Sequence, residues 1–387
     1  MTFLTLYNAI MAQLLNRFIE SELKQVLGKG KVILLTGARR VGKTILLKKL
    51  AAQKNNPLLL NAEDTDVKEL LSDRRIANYK SLFEGKDLVV IDEAQSIKEI
   101  GLILKLMIDE FPNTPLIASG SSSFNLLNQS GEPLTGRYIK KELFPMSWIE
   151  LQTQFNALEL KQQLDDRLVL GSYPELFTMN SEQEKRNYLK EMVSSYLLRD
   201  ILAFDGLRNN KKLLDLLKLV AYQVGNELSY DELGKQLGMS KNTVERYLHI
   251  LREGYVLFQL SGYSRNLRKE VTKSSKWYFW DNGIRNAIIN EFNPVSTRKD
   301  IGALWENYCI SERIKRSRYK QDEANHFFWR TYDQQEIDLI EENNGNLAAF
   351  EIKWTQKKVK IPGAFVKAYP DASYSVIEKN SLREWLE

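Results

Sequence analysis

The sequence predicts an α/β protein. It has a parallel β-sheet with helices on both faces, then a helical segment, a helix-turn-helix and a second α/β region. Three observations support this. Strand-like and helical patterns alternate between residues 31 and 150, which is the spacing of βαβ units. A glycine-rich loop follows the first of these strands. Residues 228 to 260 have the pattern of two short helices joined by a tight turn.

Length and composition set the outer limits of the interpretation. A chain of 387 residues exceeds the roughly 100–200 residues of one domain. We expect an α/β core in residues 1–150, a helical lid or connector in 151–207, a winged helix-turn-helix in 208–292 and a second α/β domain in 293–387. The net charge of +5 is a weak global signal for nucleic-acid binding.

Two further features bear on the compartment. Cys309 is the single cysteine, which excludes a disulfide framework and a cysteine-rich zinc site and fits a reducing cytoplasm. No run of about 18 apolar residues occurs, so we expect no membrane span.

The first predicted strand, residues 31–36, runs directly into GARRVGKT, which is the phosphate-binding pattern G-x-x-x-x-G-K-T. Glycines in such a loop let backbone amides turn toward phosphate oxygens, and the following helix adds a partial positive charge. We expect Lys43 to contact the β- and γ-phosphates and Thr44 to ligate magnesium. The whole ATP-binding loop is predicted to comprise Gly37, Ala38, Arg39, Arg40, Val41, Gly42, Lys43, Thr44 and Ile45.

A second motif, VVIDEAQ, ends an apolar strand at residues 89–95. A carboxylate at such a strand end can hold the magnesium shell, and the adjacent one can orient the attacking water. We therefore assign Asp92 to magnesium and Glu93 to water. This makes ATP and Mg²⁺ the expected cofactors.

Two additional residues are candidates for the ATP site. Ser121 follows the strand-like run that ends in ASG, where a small polar side chain could sense the γ-phosphate. Arg137, in LTGRYIKKELFP, is a candidate arginine finger that reaches a neighbouring subunit of a homo-oligomer. A glycine-serine turn and a surface arginine are the simpler alternatives for these two positions.

The helix-turn-helix pattern predicts a DNA-binding surface. Ser240 can cap the second helix, and Val244, Leu248 and Leu251 form its apolar stripe. Its solvent face would carry the DNA contacts Lys241, Asn242, Thr243 and Arg246. A basic stretch downstream occupies the place of a β-wing and contains Arg265, Arg268, Lys269, Lys273 and Lys276. A protein-docking module is the alternative.

A carboxylate pattern marks the C-terminal region. Asp338 lies on one predicted strand, and Glu351 and Lys353 share a face of the next, beyond a hairpin turn at Asn343 to Asn346. We expect these side chains to converge, with Glu306 approaching from the preceding helix. Clustered carboxylates bind a magnesium-type ion, and a nearby lysine can position water for phosphodiester hydrolysis. A solvated strand face is the alternative.

The ordered combination of motifs resembles the bacterial and archaeal AAA-type ATPases that carry a C-terminal domain of unknown function. The landmarks are GARRVGKT, VVIDEAQ, ASGSSSFNLL, LTGRYIKKELFPMSWIE, GSYPE, the helix-turn-helix, KWYFWDNG, and EIDL followed by FEIKW. The resemblance implies an additional-strand P-loop core, a winged helix and a restriction-endonuclease-like fold. It also implies that Asp338, Glu351 and Lys353 match the PD-(D/E)xK nuclease motif, although Ile337 stands where that motif has proline.

Together these patterns predict a cytoplasmic ATPase that couples its nucleotide state to a DNA-binding C-terminal half with a candidate nuclease site. Two alternatives remain open at this point. One is a nucleotide-dependent switch that gates protein partners and has an inactive nuclease fold. The other is an ATP-responsive transcription regulator acting through the helix-turn-helix.

Overall fold

The computed structural model describes residues 15–121, 134–197, 210–264, 275–355 and 359–387. The chain forms two compact units. The first comprises the described residues up to 146 together with 173–179 and 253–255. The second comprises 147–172, 180–252 and 256–387. In the described ranges, no helix has the length and apolar character needed to cross a membrane.

The first unit is built on a parallel five-stranded sheet in the order β2-β3-β4-β1-β5. Its strands are β1 (Val32–Thr36), β2 (Pro57–Asn61), β3 (Leu88–Asp92), β4 (Leu116–Gly120) and β5 (Tyr138–Glu142). The four strands predicted in this region are all present. Strand β4 lies between β1 and β3, which is the additional-strand arrangement that the resemblance implies.

Among the described residues, five helices accompany this sheet: α1 (Ile19–Val26), α2 (Lys43–Ala51), α3 (Thr65–Ser72), α4 (Ile76–Phe83) and α5 (Ile100–Glu110). Every residue of β1 and β4 is buried, because central parallel strands are covered on both faces. Apolar side chains from β1, β3 and β4 pack with those of α4 and α5 in one core cluster. This core holds the C-terminal ends of the three central strands side by side.

Strand β5 was not among the predicted strands, and its composition explains why. Its sequence YIKKE is mostly polar, and its side chains are half-buried or exposed. It pairs only with β1 among the described residues and forms an edge of the sheet. Charged side chains are typical of edge strands, which must resist pairing with other chains.

The second unit contains most of the helices. They are α6 (Trp148–Leu151), α7 (Ala157–Gln162), α8 (Leu164–Leu170), α9 (Glu182–Glu191), α10 (Asn210–Tyr222), α11 (Tyr230–Leu237), α12 (Lys241–Glu253), α13 (Asn282–Ile289), α14 (Ile301–Lys320), α15 (Gly363–Ala368) and α16 (Leu382–Leu386). A π-helical turn, Met192–Leu197, continues α9. The helical segment expected at 151–207 is present as far as residue 197, and residues 198–207 lie outside the described ranges.

A seven-stranded mixed sheet forms the β part of this unit. Its strands are β6 (Glu227–Leu228), β7 (Leu257–Gly262), β8 (Ser275–Phe279), β9 (Asn325–Arg330), β10 (Glu336–Asn343), β11 (Asn346–Ile352) and β12 (Ser373–Ile377), in the order β12-β11-β10-β9-β7-β8-β6. The predicted hairpin is confirmed, because Asn343 pairs with Asn346. Strand β12 was not anticipated.

This sheet continues across the boundary expected at residue 292. Strand β7, which follows the helix-turn-helix, pairs in parallel with β9 through the registers Ser261–Phe327 and Gly262–Phe328. The β-strands of the helix-turn-helix region and those of the C-terminal region therefore share one ladder. Side chains from both regions can meet on its faces.

Two motifs that were landmarks of the resemblance are joined by a buried carboxylate. Asp281, in KWYFWDNG, accepts hydrogen bonds from the backbone amides of Ser172 at 2.7 Å and Ile284 at 3.1 Å. Gly171, in GSYPE, has φ of +78° and lies against Asp281 so closely that an added Cβ would be 2.1 Å from its Oδ1. Only glycine fits this backbone conformation and this contact.

We therefore predict that Gly171→Ala lowers the free energy of unfolding by about 3 kcal/mol, because it combines backbone strain with loss of buried hydrogen bonds. Gly302→Ala is the matched control, since Gly302 lies in α14 with nothing within 4 Å of an added Cβ. That change should leave stability unaltered or raise it by up to about 1 kcal/mol. Urea unfolding at 25 °C measures the stability of both variants. Equal unfolding midpoints for the two variants would show that the contact between Gly171 and Asp281 does not stabilise the fold.

Candidate functional site

The glycine-rich loop connects the C-terminal end of β1 to the N-terminus of α2. Gly37 packs against the chain after β5, where an added Cβ would be 2.1 Å from the carbonyl oxygen of Leu143. Gly42 precedes the first turn of α2 with φ of +96°. Arg40 also has a positive φ of 60°. The loop thus has the sharply curved backbone that phosphate binding requires.

Lys43 and Thr44 begin helix α2, and both are held by neighbouring groups. Lys43 is 4% exposed, and its Nζ donates to the carbonyl oxygens of Gly37 and Ala38 at 2.9 Å each. Thr44 Oγ1 donates to Asp92 Oδ2 at 2.6 Å. This contact joins the two predicted ATP motifs, which are 48 residues apart in the sequence.

Asp92 ends strand β3 and is oriented from the neighbouring strand. Its Oδ1 accepts a hydrogen bond from the hydroxyl of Ser119, a fully buried residue of β4. The backbone amide of Glu93 lies 3.2 Å from the same Oδ1 and 3.3 Å from Ser119 Oγ. The adjacent strand therefore fixes the carboxylate that faces Thr44.

Glu93 has a left-handed backbone with φ of 52°, which turns the chain sharply after β3. Gln95 Nε2 donates to Glu93 Oε2 at 2.5 Å and lies 3.3 Å from Ser121 Oγ. The candidate water-orienting residue and the candidate sensor are thus connected through Gln95.

The three arginines among the predicted ATP-site residues lie at two separate positions. Arg39 and Arg40, inside the loop, pair with Glu63 at 3.7 Å and Glu175 at 3.2 Å. Arg137 immediately precedes β5, whereas the loop follows β1. Because the two strands are parallel, Arg137 lies at the N-terminal ends of the strands, whereas the loop lies at their C-terminal ends.

The Arg137 Nε is 2.6 Å from Asp109 Oδ1, and both side chains are largely exposed. At about 3.3 Å per residue, the five-residue strand separates Arg137 from the loop of the same chain by more than 10 Å, on the order of 15 Å. At that distance the Arg137 side chain does not contact the phosphate loop of its own chain.

The helix-turn-helix prediction agrees with the geometry of α11 and α12. Three residues separate the two helices, and Ser240 Oγ accepts from the amide of Thr243 at 3.2 Å, as an N-cap should. The predicted apolar stripe of α12 is buried. Lys241, Asn242 and Arg246 lie on the exposed face.

A cavity of about 470 Å³ borders this face of α12. It is lined by Tyr230, Asn242, Glu245, Arg246, His249, Arg252, Gln259 and Trp277. Thr243 is half-buried and close to Ser240 Oγ, and Lys241 is 3.4 Å from Asp231. Arg265, Arg268, Lys269 and Lys273 lie outside the described residues.

The predicted C-terminal convergence is confirmed. Lys353 Nζ lies 2.5 Å from Glu351 Oε1 and 3.7 Å from Asp338 Oδ2, on adjacent strands of the hairpin. The amide of Ile352 donates to Asp338 Oδ2 at 2.7 Å. Glu306 joins from α14. Burial and the nearby Asp338 raise its pKa to about 8.

Lys276 requires a correction. It was assigned to the basic wing, but it is 1% exposed and forms ion pairs with Glu306, at 3.8 Å, and Glu336. Strand β8 turns this side chain inward because β8 is buried on both faces. Burial by itself would lower the pKa of Lys276, but the carboxylates of Glu306, Glu336 and Asp338 raise it.

These lysines change the chemistry expected of the cluster. Within the described ranges, no group of three or more His, Cys, Asp or Glu side chains could hold a metal ion. Glu306, Asp338 and Glu351 therefore do not form the expected metal-ligand set. The ammonium groups of Lys276 and Lys353 lie among the carboxylates and compensate their charge.

Sequence reasoning missed several residues that shape these sites. Arg17 donates to the carbonyl oxygens of Val41 at 2.5 Å and Phe144 at 2.6 Å, which braces the phosphate loop. No local pattern marks Arg17. Ser119 did carry a signal, since it lies in the ASG segment that Ser121 follows. Glu336 could have been noticed because it shares a strand face with Asp338.

Comparison with protein families places known domains along the chain. Residues 29–152 match the model of an AAA domain. Residues 161–294 match a domain of unknown function (DUF8612), and residues 301–384 match another (DUF4143).

Relatives and solved structures extend over most of the chain. An uncharacterized protein of Mycobacterium tuberculosis is 27% identical over 340 residues, which cover 87% of this chain and 73% of the relative. One from Methanocaldococcus jannaschii is 27% identical over 390 residues, covering 93% and 82%.

Among solved structures, the Walker-type ATPase of Pyrococcus abyssi aligns with 71% of this chain and 96% of its own at 15% identity, with a TM-score of 0.49. The Drosophila ORC structure with GC-rich DNA and Cdc6 aligns with 74% and 94% at 13% identity, with a TM-score of 0.26. The AAA-domain match, together with the joined phosphate-loop and carboxylate motifs, supports a P-loop ATPase of the AAA type in the N-terminal part of this chain.

Proposed function

We propose that the protein binds and hydrolyses ATP at the junction of the glycine-rich loop and strand β3. The hydrogen bond between Thr44 and Asp92 is the observation that carries this proposal. It brings the two residues that a nucleotide-bound cation needs into contact at the C-terminal edge of the sheet. Ligands of open α/β sheets bind at this edge.

Each residue of the site has a role that follows from its position. Lys43 is held by two neutral carbonyl oxygens, and the β- and γ-phosphates offer it stronger, charged acceptors. The amides of the loop and of the first turn of α2 bind the remaining phosphate oxygens. Glu93 aligns the attacking water with the γ-phosphorus and accepts a proton from this water.

The donor set at this site fits magnesium. Thr44 and Asp92 present hydroxyl and carboxylate oxygens, which are the ligands that Mg²⁺ prefers, and it commonly takes one or two protein ligands besides phosphates and water. When bound, Mg²⁺ would neutralise charge that develops on the phosphate oxygens. Ser119 holds the Asp92 carboxylate toward Thr44.

For the C-terminal half we propose DNA binding without metal-dependent cleavage. The exposed Lys241, Asn242 and Arg246 on α12 support the first part, since a second helix of this motif presents such residues to phosphates and bases. Lys276 supports the second part, because this buried cation, which is not part of the nuclease motif, pairs with Glu306 and lies near the Asp338 carboxylate.

The first prediction separates ATP binding from hydrolysis. Lys43→Ala should weaken nucleotide binding at least tenfold, because it removes the positively charged ammonium group that contacts the phosphates. Glu93→Gln should preserve binding within about threefold and lower kcat by 100-fold or more, because only proton transfer and water alignment are lost. Phosphate release and fluorescent-nucleotide titration measure the two quantities. Hydrolysis by Glu93→Gln at the parent rate would contradict the assignment.

The second prediction concerns Arg137. If it acts as a finger toward a neighbouring subunit, the ATPase rate per subunit must rise with protein concentration. Arg137→Ala should bind ATP normally but turn over slowly. Mixing it with Glu93→Gln should restore part of the activity, because some interfaces combine an intact arginine with an intact glutamate. Arg75→Ala, another exposed arginine of the same unit, is the control. A rate independent of concentration, without rescue, would exclude the finger.

The third prediction concerns DNA. Affinity for duplex DNA should fall steeply with salt, because lysine and arginine contacts release counterions from phosphates. The double change Lys241→Ala and Arg246→Ala should lower affinity about tenfold or more. Lys161→Ala with Lys367→Ala, at two exposed lysines of α7 and α15, is a control of equal charge.

Plasmid incubated with magnesium and ATP should stay intact in the same experiments. Nicking that Asp338→Ala abolishes would restore a nuclease function. A double variant on α12 with unchanged DNA affinity would instead favour a protein-docking role for the helix-turn-helix.

A further inference from the structure

Gln95 stands out in the first unit because its two amide ends have opposite hydrogen-bonding situations. Its Nε2 donates to Glu93 Oε2 at 2.5 Å and is 3.3 Å from Ser121 Oγ. An amide nitrogen carries two protons, so both are directed to these partners. Its Oε1 is buried and has no hydrogen-bond partner among the described residues. Burying an unpaired carbonyl oxygen costs roughly 1–3 kcal/mol, so a donor is expected at this position.

The orientation of the amide follows from its neighbours. Exchanging the amide oxygen and nitrogen would place a carbonyl oxygen 2.5 Å from a carboxylate oxygen of Glu93, where the two would repel each other. Nε2 must therefore face Glu93 Oε2, and Oε1 is left as the acceptor. Gln95 lies in the short 3₁₀ helix Ala94–Ser96, directly after Glu93, which restricts how far the side chain can move.

We propose that Gln95 orients the attacking water together with Glu93. This inference rests on ATP hydrolysis at this site. The water donates one hydrogen bond to Gln95 Oε1 and a second hydrogen bond to the other carboxylate oxygen of Glu93. A lone pair of the water oxygen then points toward the γ-phosphorus.

The reaction balances with these groups alone. The water oxygen forms a bond to the γ-phosphorus as the bond to the β–γ bridging oxygen breaks. Glu93 accepts the proton of the water that is hydrogen-bonded to it and then passes this proton to the released phosphate. ADP keeps the electron pair of the broken bond. Gln95 exchanges no proton and acts by fixing the direction of attack.

The proposal also gives Ser121 a more specific role than direct sensing. Its hydroxyl lies against Gln95 Nε2 rather than beside Asp92, where Ser119 is found. Ser121 therefore acts through Gln95, as a positioning residue, by holding the amide in the orientation that leaves Oε1 as the acceptor. Its loss should have a smaller effect than the loss of Gln95, because the hydrogen bond to Glu93 remains.

The test compares steady-state ATP hydrolysis and nucleotide binding in the full-length chain. Gln95→Met keeps the side-chain length but removes both polar ends. We expect kcat to fall about 10- to 100-fold, while KM and the Kd of a fluorescent ATP analogue stay within about twofold. Gln95→Glu keeps the shape and an acceptor but loses the amide protons and repels Glu93, so its kcat should fall equally or further. Ser121→Ala should lose about threefold.

Gln53→Met is the matched control, since Gln53 is exposed just beyond the C-terminal end of α2, and its kinetics should equal those of the parent. A kcat of Gln95→Met within twofold of the parent would overturn this inference and leave ATP hydrolysis standing. A parallel loss of nucleotide affinity and kcat in both Gln95 variants would overturn it as well. A parent protein that releases no phosphate from ATP would instead refute the proposed function itself.

Discussion

The hydrogen bond between Thr44 and Asp92 is the contact on which the nucleotide site depends. It forms because β4 lies between β1 and β3, so that the loop after β1 and the carboxylates after β3 meet at one edge of the sheet. The buried strands β1 and β4 leave these ends little freedom to separate. Ser119 reaches Asp92 from the strand between them, so the additional strand supplies both the spacing and a ligand-orienting hydroxyl.

Hydrogen bonds hold the charged side chains and the loop of the same site in place. Lys43 bends back onto carbonyl oxygens of its own loop, and Arg17 braces that loop from the carbonyl side. These contacts hold the loop in its curved form. A loop that is held in this way loses less conformational entropy when it binds phosphate, which favours affinity. Glu93 and Gln95 are likewise held by a hydrogen bond.

The second unit depends on buried charges that compensate one another. Lys276 and Lys353 lie among the carboxylates of β10, β11 and α14, and the continuous sheet brings the first of these lysines from the helix-turn-helix region. Removing one partner of such a cluster destabilises the fold far more than the intact pair stabilises it, because the other charge is left buried without compensation. The cluster therefore ties the helix-turn-helix region to the C-terminal region.

The sequence by itself determined the elements whose signals are local. These include the strand-loop-helix around Lys43, the strand that ends at Asp92, the capped helix after Ser240 and the hairpin at Asn343 to Asn346, because backbone preferences and short-range periodicity specify them. Only the tertiary structure decided which distant side chains meet. Arg17 and Lys276 lie in unremarkable local sequence, and strand pairing alone takes Lys276 away from the wing and into the carboxylate cluster. Burial then sets their charge environment, which no short stretch of sequence contains.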